Sequence, residues 1–127
     1  MDTSTPVTVM VVDDSRISRM FLRELFGKLR PGWQVIEAGD GSQAIALAAS
    51  DKPRYATLDI NMPGMDGLQL ARELQRQHPE IGLCMFSANI QQASQQEAAE
   101  LGVAFVSKPV DDRSVAQAIA FFEGSAS

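Results

Sequence analysis

Five short apolar runs punctuate this chain, at residues 7–12, 33–38, 55–60, 81–86 and 103–107, and a stretch of helical spacing follows each one. Runs this short and this rich in β-branched residues have the pattern of strands buried on both faces. Ser15 can cap a first helix reaching about Leu29, with Ser18, Phe21, Leu22, Leu25 and Leu29 on one face and Arg16, Arg19, Arg23 and Lys28 mostly elsewhere. Further helices are expected over residues 42–50, from the loop at 61–67 to about His78, over the Gln-rich stretch ending near Leu101-Gly102, and over 111–122. Pro31-Gly32, Gly39-Asp40-Gly41, Asp51-Lys52-Pro53 and Pro79 separate the pieces. Parallel neighbours need crossover helices, so five strand-then-helix units predict an α/β fold: a parallel sheet with helices on both faces.

A chain of 127 residues has room for one such domain, expected over 1–127 with its core at about 7–122 and no output domain after the last helix. Apolar residues at 45% and charged residues at 21% exclude a disordered or collagen-like chain. The 16 acids and 11 bases leave −5, which repels phosphate backbones and anionic lipid, so neither nucleic acid nor membrane is an expected direct partner. The single cysteine, Cys84, has no partner for an internal disulfide and suits a reducing cytoplasm as an inert core thiol. Residues 1–6 do not read as a secretory signal, and no apolar run approaches the ~18 residues that span a bilayer.

Ligands of an open parallel sheet bind outside the carboxyl ends of its strands. Those ends carry Asp13 and Asp14 after the first run, Asp59 in the third, Ser87 after the fourth, and Ser107 and Lys108 at the fifth. Three carboxylates brought together repel one another unless a cation neutralises them. A hard divalent cation such as Mg²⁺ does so with oxygen ligands while leaving room for phosphate oxygens. An added ammonium from Lys108 and a hydroxyl from Ser87, both facing a carboxylate, make a site for a phosphoryl group.

The ordered set resembles the receiver domain of two-component response regulators. It comprises Asp13-Asp14, Asp59 within Leu58-Asp59-Ile60-Asn61-Met62-Pro63-Gly64-Met65-Asp66-Gly67, then Ser87-Ala88 and Lys108-Pro109, and the resemblance runs from about Val7 to Phe122. It implies a flavodoxin-like (βα)5 fold with strand order 2-1-3-4-5. It implies Asp59 as the phosphoacceptor for a sensor histidine kinase or phosphotransfer protein, in a chain that assists its own phosphorylation and dephosphorylation but is not a free-standing enzyme. Asp14, Asp59 and the backbone carbonyl of Asn61 would ligate Mg²⁺ (or Mn²⁺ in its place), with Asp13 holding it through water. Lys108 would pair with Asp59 or its phosphate, and the Lys108–Pro109 bond would be cis. Ser87 and Phe105 would act as the switch, reshaping the surface of helix four, strand five and helix five for a downstream protein target. The chain would be a monomer or a phosphorylation-dependent dimer, acting by binding a partner as a stand-alone chemotaxis-type regulator does.

Two residues depart from the family pattern: Phe105 lacks the hydroxyl of the tyrosine often found there, and Thr57 stands where aliphatics are usual, its hydroxyl expected to bond locally. Ile17 and Met20 lie off the stripe of the first helix, where receivers commonly dock their phosphodonor. Phe121 lies about a third of a turn off the Val115, Ala118, Ile119, Phe122 stripe, and is a second candidate for an exposed contact. His78, before Pro79, fits a helix end rather than a phosphodonor. Three alternatives compete with a working phosphoacceptor, one of them a flavodoxin-like cofactor binder, against which no phosphate-cradling loop follows the first strand. A phosphatase of the haloacid dehalogenase type needs a second aspartate two residues after the first, where this chain has Asn61. A phosphorylation-independent interaction module would be expected to lose an aspartate or the lysine, and all are present.

Overall fold

The computed structural model describes residues 6–60, 62, 64–87 and 92–125. Strands and helices alternate throughout: β1 (Thr8–Val12), α1 (Arg16–Leu29), β2 (Gln34–Ala38), α2 (Gly41–Asp51), β3 (Tyr55–Asp59), α3 (Gly67–Gln77), β4 (Gly82–Ser87), α4 (Gln92–Leu101), β5 (Ala104–Ser107) and α5 (Asp112–Ser125). All five strands are parallel, in the order β2-β1-β3-β4-β5. Side chains of a strand point alternately to the two faces, and here both faces are covered. Met10, Val12, Ala56, Leu58, Leu83 and Met85 pack with Ala44 and Ala48 of α2, Leu70, Ala71 and Leu74 of α3, and Ala98 of α4. Val9, Val11, Tyr55, Cys84, Phe86 and Val106 pack with Leu22 and Phe26 of α1 and with Val115, Ala118, Ile119 and Phe122 of α5.

Local chemistry sets the helix starts. The Ser15 side chain accepts from the Ser18 N–H at the head of α1, and Asp40 does the same for Gln43 at α2. Asp66 and Gln69 close a reciprocal capping box on α3. Asp111 and Ser114 exchange the equivalent pair of bonds before α5. His78 caps the carboxyl end of α3, its N–H donating to the Leu74 carbonyl.

The α1 stripe is rotated from its sequence expectation. Phe21 is exposed at 50%, whereas Phe26 is fully buried and stacks on Trp33 at 6.0 Å. A helix with aromatics at both margins of its stripe buries the one that meets a tertiary partner, and the partner here is Trp33. Ile17 and Met20 are exposed as expected, so Ile17, Met20 and Phe21 form one apolar surface at i, i+3 and i+4. Phe121 is half-buried and packs on the α1–α5 side of the core, so it is not the free surface residue the spacing suggested.

The amino ends of the strands meet in an aromatic column. Trp33 lies 5.3 Å from Tyr55, and Tyr55 stacks on Phe122 at 4.5 Å with planes 10° apart. No helix among the described residues is long and apolar enough to cross a membrane.

Candidate functional site

At the opposite pole, β3, β4 and β5 stop in polar residues and β1 is followed by two aspartates. Asp13 follows β1 and is 2% exposed; its N–H still donates to the Ala38 carbonyl of β2 at 3.1 Å, which carries the sheet's pairing one residue past the strand. Its Oδ1 accepts from the Ser15 N–H at 2.8 Å, which sets the carboxylate as the chain turns into α1. Asp14 is exposed beside it. Asp59 ends β3 and is 7% exposed. One oxygen from each of Asp13, Asp14 and Asp59 falls within 4.8 Å of the others.

Lys108 crosses this cluster. Its Nζ is 3.5 Å from Asp59 Oδ1 and 3.6 Å from Asp13 Oδ2. The Lys108–Pro109 peptide is cis, as the resemblance implied. The Lys108 N–H donates to the Ser87 carbonyl at 2.8 Å, which ties the loop after β5 to the end of β4. Ser87 itself is fully buried. Phe105 is half-buried, packed against the side of the sheet that carries α2, α3 and α4. The structure therefore brings Asp13, Asp14, Asp59 and Lys108 together and places Ser87 and Phe105 on the two strands beside them. The Asn61 carbonyl expected as a ligand lies outside the described residues, as does the segment after Ser87.

The cluster fits a small, hard cation. Octahedral Mg²⁺ holds its oxygens at about 2.1 Å, so its ligand atoms stand about 3–4 Å apart. Three carboxylate oxygens within 4.8 Å are close to that size, and all are hard donors.

Three supporting features were not legible beforehand. Gly67 opens α3 directly against the end of β3, its N–H donating to the Ile60 carbonyl at 3.0 Å. A Cβ there would meet the Asp59 carbonyl oxygen at 2.5 Å and Ile60 Cα at 2.7 Å, so only glycine permits this approach. Met62, buried, and Met65, half-buried, join the core on the side of the sheet that carries α2, α3 and α4. Arg19, which helical spacing puts off the apolar face of α1, bonds the Asp13 carbonyl and Glu37. Glu37 sits between two arginines of α1, and the hydrogen bond from Arg23, then that from Arg19, holds its carboxyl below the usual glutamate range.

Two expectations about the interior resolve differently. Cys84 is fully buried in β4, where desolvation pushes its thiol up to about 12, the behaviour of an inert core residue. Thr57, its neighbour on β3, does not bond locally. Its Oγ1 is buried without a hydrogen-bond partner among the described residues, on a central strand where its register neighbours are Val11 of β1 and Cys84 of β4.

The pattern of the response regulator receiver domain matches residues 9–120. The chain is 34% identical over 113 residues to chemotaxis protein CheY of Thermotoga maritima, covering 87% of this chain and 92% of that protein. It is 30% identical over 112 residues to sporulation initiation phosphotransferase F of Bacillus subtilis, covering 87% and 89%. It also resembles a probable transcriptional regulatory protein, TcrX, of Mycobacterium tuberculosis, at 39% identity over 85 residues, but spans only 35% of that protein's length. Among solved structures, the CheX–CheY–BeF3–Mg²⁺ complex from Borrelia burgdorferi superposes with a TM-score of 0.84 at 29% identity, over 93% of this chain and 90% of that one. The match runs from inside β1 to inside α5, through every strand whose end carries a residue of the rim, and the chain thus belongs to the receiver domains of two-component response regulators.

Proposed function

We propose that this receiver accepts a phosphoryl group on Asp59 from a sensor histidine kinase or phosphotransfer protein and uses it to change the surface it offers a downstream protein. The observation that carries this reading is the placement of Lys108 Nζ, 3.5 Å from Asp59 and 3.6 Å from Asp13, over a cluster of three carboxylates. A carboxylate oxygen of Asp59 attacks the phosphorus of the donor's phosphohistidine. The P–N bond breaks, the imidazole nitrogen leaves with the electron pair, and an acyl phosphate remains on Asp59.

Asp13, Asp14 and Asp59 would hold Mg²⁺, or Mn²⁺ in its place, with the Asn61 carbonyl completing the protein's share. The bound cation would offset charge on the phosphoryl oxygens. Lys108 holds a positive charge against the same oxygens. The product brings about −2 charge to the rim, which favours a conformer with its donors drawn in. Ser87 and Lys108 are those donors. Phe105, on the neighbouring strand, would turn inward as Ser87 moves, and the surface of α4, β5 and α5 would follow. The chain takes part in its own phosphorylation and dephosphorylation without turning over a separate substrate. The apolar surface of Ile17, Met20 and Phe21 is the face on which the phosphodonor would dock, close to the rim at the start of α1. The setting is cytoplasmic, and the chain is a monomer or a dimer formed on phosphorylation.

Intact mass after incubation with acetyl phosphate tests the reading, in Mg²⁺ and in chelator, for wild type and Asp59→Asn. One added phosphoryl group that needs the cation and vanishes in the variant is the expected result. An adduct that persists in Asp59→Asn would move the acceptor elsewhere. Absence of any adduct, with acetyl phosphate and with phosphorylated kinase alike, would replace a phosphoacceptor by a phosphorylation-independent docking module. Lys108→Ala should still take up some phosphoryl group but lose the conformational response.

A further inference from the structure

We propose that Arg19 is a positioning residue for the acidic rim, fixing the peptide between Asp13 and Asp14 so that the Asp14 carboxylate stays within reach of the cation. The proposal rests on the metal-dependent function above and extends it to a residue outside the rim.

The three carboxylates are not held alike. Asp13 has the Ser15 N–H on one oxygen and the Lys108 ammonium near the other, and Asp59 faces the same ammonium. Asp14 is exposed, and among the described residues its carboxylate takes part in no hydrogen bond or ion pair. Its reach to the cluster therefore depends on where the backbone places its Cα. A peptide unit is planar, so fixing the Asp13 carbonyl oxygen also fixes the Asp14 N–H and the Asp14 Cα that carries the side chain.

Arg19 supplies that fixed point. Its Nη1 donates to the Asp13 carbonyl at 2.6 Å while its Nε donates to Glu37 Oε1 at 3.0 Å. One planar guanidinium thus spans from the β1–α1 turn to β2, which a single-point ammonium cannot do. Glu37 is anchored in turn, its Oε2 accepting from Arg23 Nε at 2.8 Å, and Arg23 Nη2 donates to the Val35 carbonyl at 3.1 Å. The Arg19 side chain is 18% exposed and that of Arg23 is 51%. Arg19 is the more enclosed and the one that reaches the turn. It touches neither cation nor phosphoryl group, and acts through Asp13 and Asp14.

Groups that orient metal ligands typically contribute 10–100-fold in affinity. Calorimetric titration with Mg²⁺ alone, on wild type, Arg19→Met, Arg19→Lys and Glu37→Gln, reads the effect directly. Arg19→Met should weaken Mg²⁺ binding about tenfold. Arg19→Lys keeps the charge but not the two-point span, and should recover only part of that loss; full recovery would reduce Arg19 to a diffuse positive charge and overturn the positioning role. Glu37→Gln should fall between wild type and Arg19→Met. Labelling by acetyl phosphate should drop in Arg19→Met at low Mg²⁺ and return to near wild-type rates at saturating Mg²⁺, because the reacting residues are intact. A merely structural arginine would lower the urea midpoint and leave Mg²⁺ affinity unchanged, which would remove this assignment alone. A wild-type chain that binds no Mg²⁺ would remove the assignment and the proposed function together.

Discussion

The two poles of the sheet are built on opposite terms. At the amino ends of the strands, Phe26, Trp33, Tyr55 and Phe122 form a column of rings with successive centroids 6.0, 5.3 and 4.5 Å apart. At the carboxyl ends, three carboxylates converge within 4.8 Å with one ammonium nearby. Like charges at such spacing oppose folding, whereas stacked aromatics favour it by burial and by ring geometry. A domain can tolerate a repulsive rim when the same strands are secured at their other end. Stability thus belongs mainly to one pole and chemistry to the other, and substitutions at each should separate the two.

The largest effect is expected at the column. Phe122→Ala removes a fully buried ring that stacks on Tyr55, and should cost about 4 kcal/mol in urea unfolding while leaving phosphoryl uptake by the folded fraction intact. Loss of uptake at full folding would deny the separation. Gly67→Ala strikes where the poles cannot be separated, because its methyl would press on the Asp59 carbonyl and Ile60 Cα. It should lower stability by about 3 kcal/mol and also slow labelling, since α3 must retreat from β3. Thr57→Val lies between the poles. Replacing a buried hydroxyl that lacks a partner by a methyl of similar shape should stabilise the chain by about 1 kcal/mol, read as a higher urea midpoint at unchanged slope.

The smallest effect concerns pH. Bonds from Arg23 and Arg19 hold the folded pKa of Glu37 below its usual value of 4.5. A depressed carboxylate contributes stability that is fully present above the unfolded pKa and is lost as pH falls through the folded one. The urea midpoint of wild type should therefore fall more than that of Glu37→Gln as pH drops from neutrality to below about 4. Equal falls would show that the two arginines add nothing to Glu37 beyond what water provides.

Much of this was written in the sequence because it concerns where strands stop. Asp59 and Lys108 are readable because a carboxylate or an ammonium directly after a buried apolar run has only one pole of a parallel sheet to occupy. The helix caps at Ser15 and Asp66 are readable for a similar reason, since their partners lie three residues away. What escaped depends on distant contacts. Phe21 and Phe26 stand at the two margins of one helical stripe, and only the position of Trp33 decides which is buried. Arg19 is one of four bases on a mostly solvent-facing surface until β2 places Glu37 opposite it. Gly67 resembles any helix-opening glycine until the third strand lies 2.5 Å from its absent side chain. The unpartnered hydroxyl of Thr57 is a fact about its neighbours, and local spacing carries no trace of it.

The column also has an optical consequence. Trp33 is the chain's one tryptophan, and it is held between Phe26 and Tyr55 about one strand's length, roughly 16 Å, from the rim. Its emission should register loss of the folded state sharply and phosphoryl uptake weakly. Emission from Trp33 should therefore follow unfolding with little interference from any change at the rim.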